Sequence, residues 1–153
     1  MPPEVSAASG LNAMAHAVEA LCAPDRSPIT SVLAEKAVHN LASALPAVVA
    51  DGTGVEGRTD ALRGAWLCGA CLGATMGLHH KLCHIFGGAF DLPHAATHAV
   101  LLPHVSEYML AREPEARAAL KRALSGESAD AIATLADRIG VPRTLAEPRC
   151  ARR

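Results

Sequence analysis

Three pairs of side chains stand four residues apart in this 153-residue chain: Asn12 with His16, His80 with His84, and His94 with His98. On a helix that spacing puts both members of a pair on one face, within reach of a single ion or substrate group. The segments LNAMAHAVEAL and GLHHKLCHIFGGAFDLPHAATHA set these imidazoles among alanines and leucines. A polar ring there is costly unless something satisfies it. Histidines that converge from several helices are how a helical bundle builds a metal or catalytic pocket. A lone histidine is more often a surface residue or a satisfied core group, and His39 and His104 are read that way. Three repeated pairs point to a site.

Helices must position those pairs, and the composition favours them. Half of the residues are hydrophobic, but aromatics are only 3%, so the apolar content is mostly Ala, Leu and Val. Ala and Leu are strong helix formers, and small side chains let helices pack closely. The expected fold class is all-α. Leu11, Met14, Val18 and Leu21 line a first helix that Pro24 and Asp25 end. Ser27 caps a second helix, with Pro28 in its first turn. Asp51–Gly54 reads as a loop, and a helix from Thr59 or Asp60 is expected to run to about Leu78, where Gly77 bends or breaks it. Gly87-Gly88 are expected to stop the next helix, and Asp91 to cap one carrying His94 and His98, which Pro103 interrupts or kinks. Two more follow, about Glu115–Leu124 and Ala129–Ile139, the second capped at or near Ser128.

Several classes fall away. A net charge of −1 argues against a nucleic-acid or anionic-membrane partner reached through bulk electrostatics. Five cysteines form no disulfide framework, and MPPEVSAASG has no secretory pattern, so a reducing, cytoplasmic setting is expected. The uncharged run GAWLCGACLGATMGLHH is Gly-rich and ends in two histidines, so it reads as a core helix rather than a membrane span. Cys68 and Cys71 have redox or zinc spacing. With no preceding strand and no second cysteine pair, they read as small thiols packed inside a helix.

These residues carry a resemblance. GLNAMAHAVEAL resembles the G-x-D-A-x-x-H-A-x-E helix of iron-containing (group III) alcohol dehydrogenases. HHKLCHIFGGAFDLPHAATHAVLLPHV resembles their H-x-x-x-H-x-x-G, D-x-P-H-G and Leu-Leu-Pro-His blocks. The resemblance implies a helical bundle like the C-terminal domain of the dehydroquinate synthase-like and iron-containing alcohol dehydrogenases. It places the metal-ligand positions on Asn12, His16, His80 and His94, for a divalent iron or zinc ion. It makes His80, His84 and His94 the catalytic candidates, with His84 beside the nicotinamide as well.

The aspartate position of that pattern holds Asn12, and an uncharged amide is a weaker ligand for a hard cation than a carboxylate. Asn12, the Pro-Pro-Glu-Val opening and FDLPHAATHA resemble the maleylacetate reductase branch. That branch implies metal-independent reduction of a conjugated C=C in a small-molecule acid by NADH or NADPH, in aromatic-compound catabolism, and a homodimer at full length. The sequence has no strand–Gly-rich turn–helix unit to cradle a pyrophosphate. Residues 1–142 are therefore expected to be the helical domain alone, with an atypical tail over 143–153. The expectation is a fragment, inactive by itself. Two alternatives are the helical half of a metal-dependent alcohol dehydrogenase, and a non-catalytic His-rich module that binds a metal or a partner.

Overall fold

The segment from Pro3 to Cys22 carries apolar or small side chains on almost every face, and a helix hydrophobic all round belongs in an interior. In the computed structural model, which describes residues 1–126 and 128–146, it is helix α1 (Pro3–Cys22). Leu11, Met14, Ala15, Ala17, Val18, Ala20 and Leu21 are all buried. Around it lie α2 (Pro28–Ala50), α3 (Val55–Ala70), α4 (Leu78–Phe90), α5 (His94–Leu110) and α6 (Pro114–Leu124), all in contact with α1. The last helix, α7 (Ser128–Arg138), packs on α5 and α6. Every regular element among the described residues is helical, as expected.

Two missing side chains set the helix spacing. A Cβ on Gly10 would come within 2.3 Å of Leu45 Cδ2, so α1 and α2 touch through that glycine. A Cβ on Gly64 would meet Leu41 Cγ at 2.8 Å and the Leu41 backbone nitrogen at 3.1 Å, so α3 approaches α2 in the same way.

Several boundaries follow the expected chemistry. The Ser27 hydroxyl accepts the Thr30 N–H at 3.0 Å, capping α2 ahead of Pro28. Others differ. Asp51 accepts from the N–H and hydroxyl of Thr53 and closes the loop, which lets α3 begin at Val55 rather than Thr59. That helix stops at Ala70, not near Leu78, and residues 71–77 form a turn. The turn is fastened from outside, because the Asp25 carboxylate accepts the Thr75 N–H at 3.1 Å and its hydroxyl at 2.7 Å. Helix α4 continues through Gly87 and Gly88, whose cost of about 1 kcal/mol each its packing on α5 offsets.

Asp91 does not start α5. It ends α4 in the left-handed conformation, φ 51°, which a short polar side chain tolerates, and Pro93 precedes α5 instead. Helix α5 runs on through Pro103. The cap position before α7 and residues 147–153 of the tail lie outside the described residues.

The glycine contacts predict opposite signs for two alanine substitutions in α3. Gly64→Ala should destabilise by about 1–3 kcal/mol through overpacking against the Leu41 backbone. Gly69→Ala, with nothing within 4 Å of its Cβ, should stabilise by up to about 1 kcal/mol. Urea unfolding midpoints of the two variants check both.

Candidate active site

Asn12, His16 and Glu19 follow one another at four and three residues, so they share a face of α1. That face meets α4 and α5. Glu19 is 3% exposed, and a buried carboxylate must be charge-paired or hydrogen-bonded. Its partners are the first residues of α4. Gly77, in the cap position, has no side chain to bond the free N–H groups of that helix start. Glu19 does so from another helix: Oε1 accepts the His80 N–H at 3.2 Å, and Gly77 contributes a backbone bond. Oε2 accepts a short hydrogen bond from His80 Nδ1. A Cβ on Gly77 would stand 2.8 Å from Glu19 Oε1, so any side chain there would displace the carboxylate from this position.

This anchoring fixes the His80 ring. With Nδ1–H donated to Glu19, its Nε2 is turned toward His16 Nε2, 3.2 Å away. The cluster continues through His98, whose ring centroid is 4.7 Å from that of His80 and 4.2 Å from that of His94. His84 lies next, its centroid 5.8 Å from that of His94. His79 Nε2–H donates to the His98 carbonyl at 3.0 Å, and Cys83 Sγ is 3.5 Å from the same nitrogen. His79, His80 and His98 are buried, whereas His84 and His94 are exposed.

Burial sets the protonation of the inner rings. It lowers His79 to about 4, with the nearby His80 and His16 adding to the effect against opposing help from the His98 carbonyl and Glu19. It lowers His98 to about 3, assisted by His79, His80, His94 and His84. His16 is lowered by burial and by His80. For Glu19 burial pushes upward, but the bonds from His80 outweigh it and hold the carboxyl below its usual range. The thiols move the other way: burial takes Cys68 and Cys83 up to about 12, and Cys71 Sγ is spent on the Leu67 carbonyl. The Cys68/Cys71 pair is core, with no nucleophile in it.

The structure brings His16, His80, His84 and His94 into one cluster and leaves Asn12 one turn along α1 from His16. Asn12 Oδ1 is buried with no hydrogen-bond partner. Among the described residues, the trios of ring nitrogens lying within 4.8 Å of one another are His79/His80/His98 and His84/His94/His98. His16 belongs to neither, and neither contains a carboxylate. The ring nitrogens of His16, His80 and His94 do not form such a trio in this arrangement.

Glu19 and His79 were not singled out from the sequence, and His98 was given no role there. His98 was visible as the partner of His94, and Glu19 closes the quoted H-A-x-E motif. Nothing in the sequence marked His79, since its role depends on a carbonyl of another helix.

The C-terminal sequence profile of Fe-containing alcohol dehydrogenases matches residues 6–150. The chain belongs to that family. It is 48% identical over 148 residues to the maleylacetate reductase of Burkholderia cepacia, covering 95% of this chain and 42% of that protein. It is 55% identical over 109 residues to maleylacetate reductase 2 of Cupriavidus pinatubonensis. The crystal structure of maleylacetate reductase from Rhizobium sp. superposes with a TM-score of 0.92 at 47% identity, covering 95% of this chain and 42% of that one. The chain thus spans less than half the length of these relatives. No described helix is long and apolar enough to cross a membrane.

The neutral inner imidazoles make stability depend on acid. The unfolded chain binds protons on His79 and His98 near pH 6.5, while the folded chain binds them only near 4 and 3. Stability is therefore complete above about pH 6.5 and falls as pH drops through this window, because the unfolded state takes up the extra protons. Unfolding midpoints should decline from pH 7 to pH 4.5, and His98→Asn should flatten that decline.

Proposed function

We propose that this chain forms the helical half of a maleylacetate reductase-type active site, in which imidazoles serve the reduction of a conjugated C=C by NADH or NADPH. One observation carries the reading. The His16–His80 nitrogen pair, anchored by Glu19 at the buried end of the cluster, faces an exposed rim of His84 and His94. Kinship to maleylacetate reductases supports the substrate class, a small unsaturated keto acid.

The chemistry follows from those positions. When bound, the reduced nicotinamide supplies a hydride to the β-carbon of the conjugated acid. The electron pair of the C=C moves to the keto oxygen, which becomes an enolate and needs N–H donors. His16 and His94 are the donors available beside it, with His80 held by Glu19 as a fixed support behind His16. His84, on the exposed rim, gives a proton to the α-carbon and is reprotonated from solvent. The balance is one hydride and one proton added to the acid. No step in this scheme is routed through a metal.

The described residues contain no strand and no strand–Gly-rich turn–helix unit, so nucleotide binding is assigned to the part of the relatives' length that this chain does not span. A homodimer and a cytoplasmic location accord with this reading.

The test joins this chain to the nucleotide-binding half of the Rhizobium sp. relative and follows nicotinamide oxidation with maleylacetate. The chain alone should show no turnover. The joined protein should turn over, keep its rate in a chelator, and lose about 10²–10⁴-fold in kcat with His84→Ala. Loss of activity in chelator with recovery on iron or zinc would favour a metal-dependent alcohol dehydrogenase. No activity under either condition would favour a non-catalytic module.

A further inference from the structure

His98 is fully buried, and neither of its ring nitrogens has a hydrogen-bond partner. An imidazole in the interior normally spends at least one nitrogen on a neighbour. Burial keeps this ring neutral, so it carries one N–H to donate, and no described residue receives it. Side chains on a helix lean toward its N-terminus, over the turn before their own. The His98 ring accordingly lies back over the first turn of α5, its centroid 4.2 Å from that of His94, the first residue of the helix.

That first turn has donors of its own. Thr97 makes the first bond of the helix, its N–H donating to the Pro93 carbonyl at 2.9 Å. The N–H groups of His94, Ala95 and Ala96 come before it and have no place in the ladder. Pro93 fills the cap position and has no side-chain acceptor to offer them. The helix is 17 residues long and brings the positive end of its dipole to the same point. Lys81, exposed and one turn before His84 on α4, adds a cation at the approach. A buried, unpartnered ring and an uncapped helix start thus suit one kind of group, an anion with more than one acceptor oxygen.

We propose that the start of α5, together with the His98 ring, is the subsite for a carboxylate of the substrate acid. The identity of that acid rests on the reductase reading. Maleylacetate has a carboxylate at each end, one of them a single methylene from its keto carbon. With the keto oxygen at His16 and His94, the step to that carboxylate is of the order of the 4.2 Å between the His94 and His98 rings. The His94 side chain then serves the keto oxygen while its backbone serves the carboxylate, and His84 still delivers the proton. His84 and His94 lie between His98 and solvent, and no hydrogen bond to another described residue holds either ring, so the acid can turn them aside. Helix starts also bind phosphate. This one opens beside the reacting groups, where the acid rather than a nucleotide phosphate belongs.

Titration of the full chain with maleate, followed by nitrogen–proton NMR, tests the subsite without turnover. The expected result is saturable binding that shifts the Ala95 and Ala96 amides and the His98 ring. The uncharged dimethyl ester and inorganic phosphate should bind more weakly. His98→Phe keeps a ring but loses the N–H, and should weaken maleate binding about 10–100-fold, the worth of a hydrogen bond to a charged group. His98→Gln restores a donor and should recover part of that loss. His104→Gln, farther along α5 and outside the cluster, should change nothing. If His98→Phe does not fold, the Ala95 and Ala96 shifts in the unaltered chain decide. Absence of saturable binding overturns the proposal, as does equal affinity in His98→Phe or for the ester. Tighter binding of phosphate than of maleate also overturns it, making the helix start a nucleotide-phosphate site. Maleate binding as expected, with no turnover in the joined protein, would uphold the subsite and remove only the reductase reading.

Discussion

The carboxylate of Glu19 sits in an interior made mostly of alanine and leucine, and its need for partners organises everything near the cluster. It is satisfied by the start of α4, whose free N–H groups and positive end favour an anion. One side chain of α1 therefore serves as a helix cap and as a ring anchor together. It sets where α4 begins, how α4 meets α1, and which His80 nitrogen is free. The Asp25–Thr75 contact plays a lesser part at the surface, tying down the turn that delivers the chain to that point.

Beyond this anchor the cluster is governed by burial. Inner rings stay neutral because charging them would place cations side by side in a poorly solvated space. The rim rings meet solvent. A graded arrangement results, from a fixed carboxylate–imidazole pair inside to solvent-facing imidazoles outside.

Much of this was legible in the sequence, for reasons that differ by element. The i,i+4 pairs were readable because a helix fixes the geometry within each pair, and His16, His80, His84 and His94 do gather. The Ser27 cap was readable because it is a local bond between near neighbours. What failed was what depends on other helices. Gly87 and Gly88 looked like breakers, but packing on α5 carries α4 through them. Asp91 looked like a cap for α5 and instead closes α4, since one short polar side chain suits both tasks. Across helices His16 pairs with His80 while His94 lies beside His84 and His98, an arrangement that the spacing within each pair does not give. Glu19 escaped notice because its partners lie about sixty residues away.

Gly77 and Glu19 occupy one volume, which ties the histories of the two positions together. While a long carboxylate fills that space, any side chain at position 77 collides with it. Were position 19 to shorten first, 77 would be released and could accept alanine, after which a returning carboxylate would have to shift from its present place. The order of changes matters, and one direction is a ratchet. Lineages that keep the anchor would keep the glycine beside it, although that glycine touches no substrate and carries no chemistry of its own.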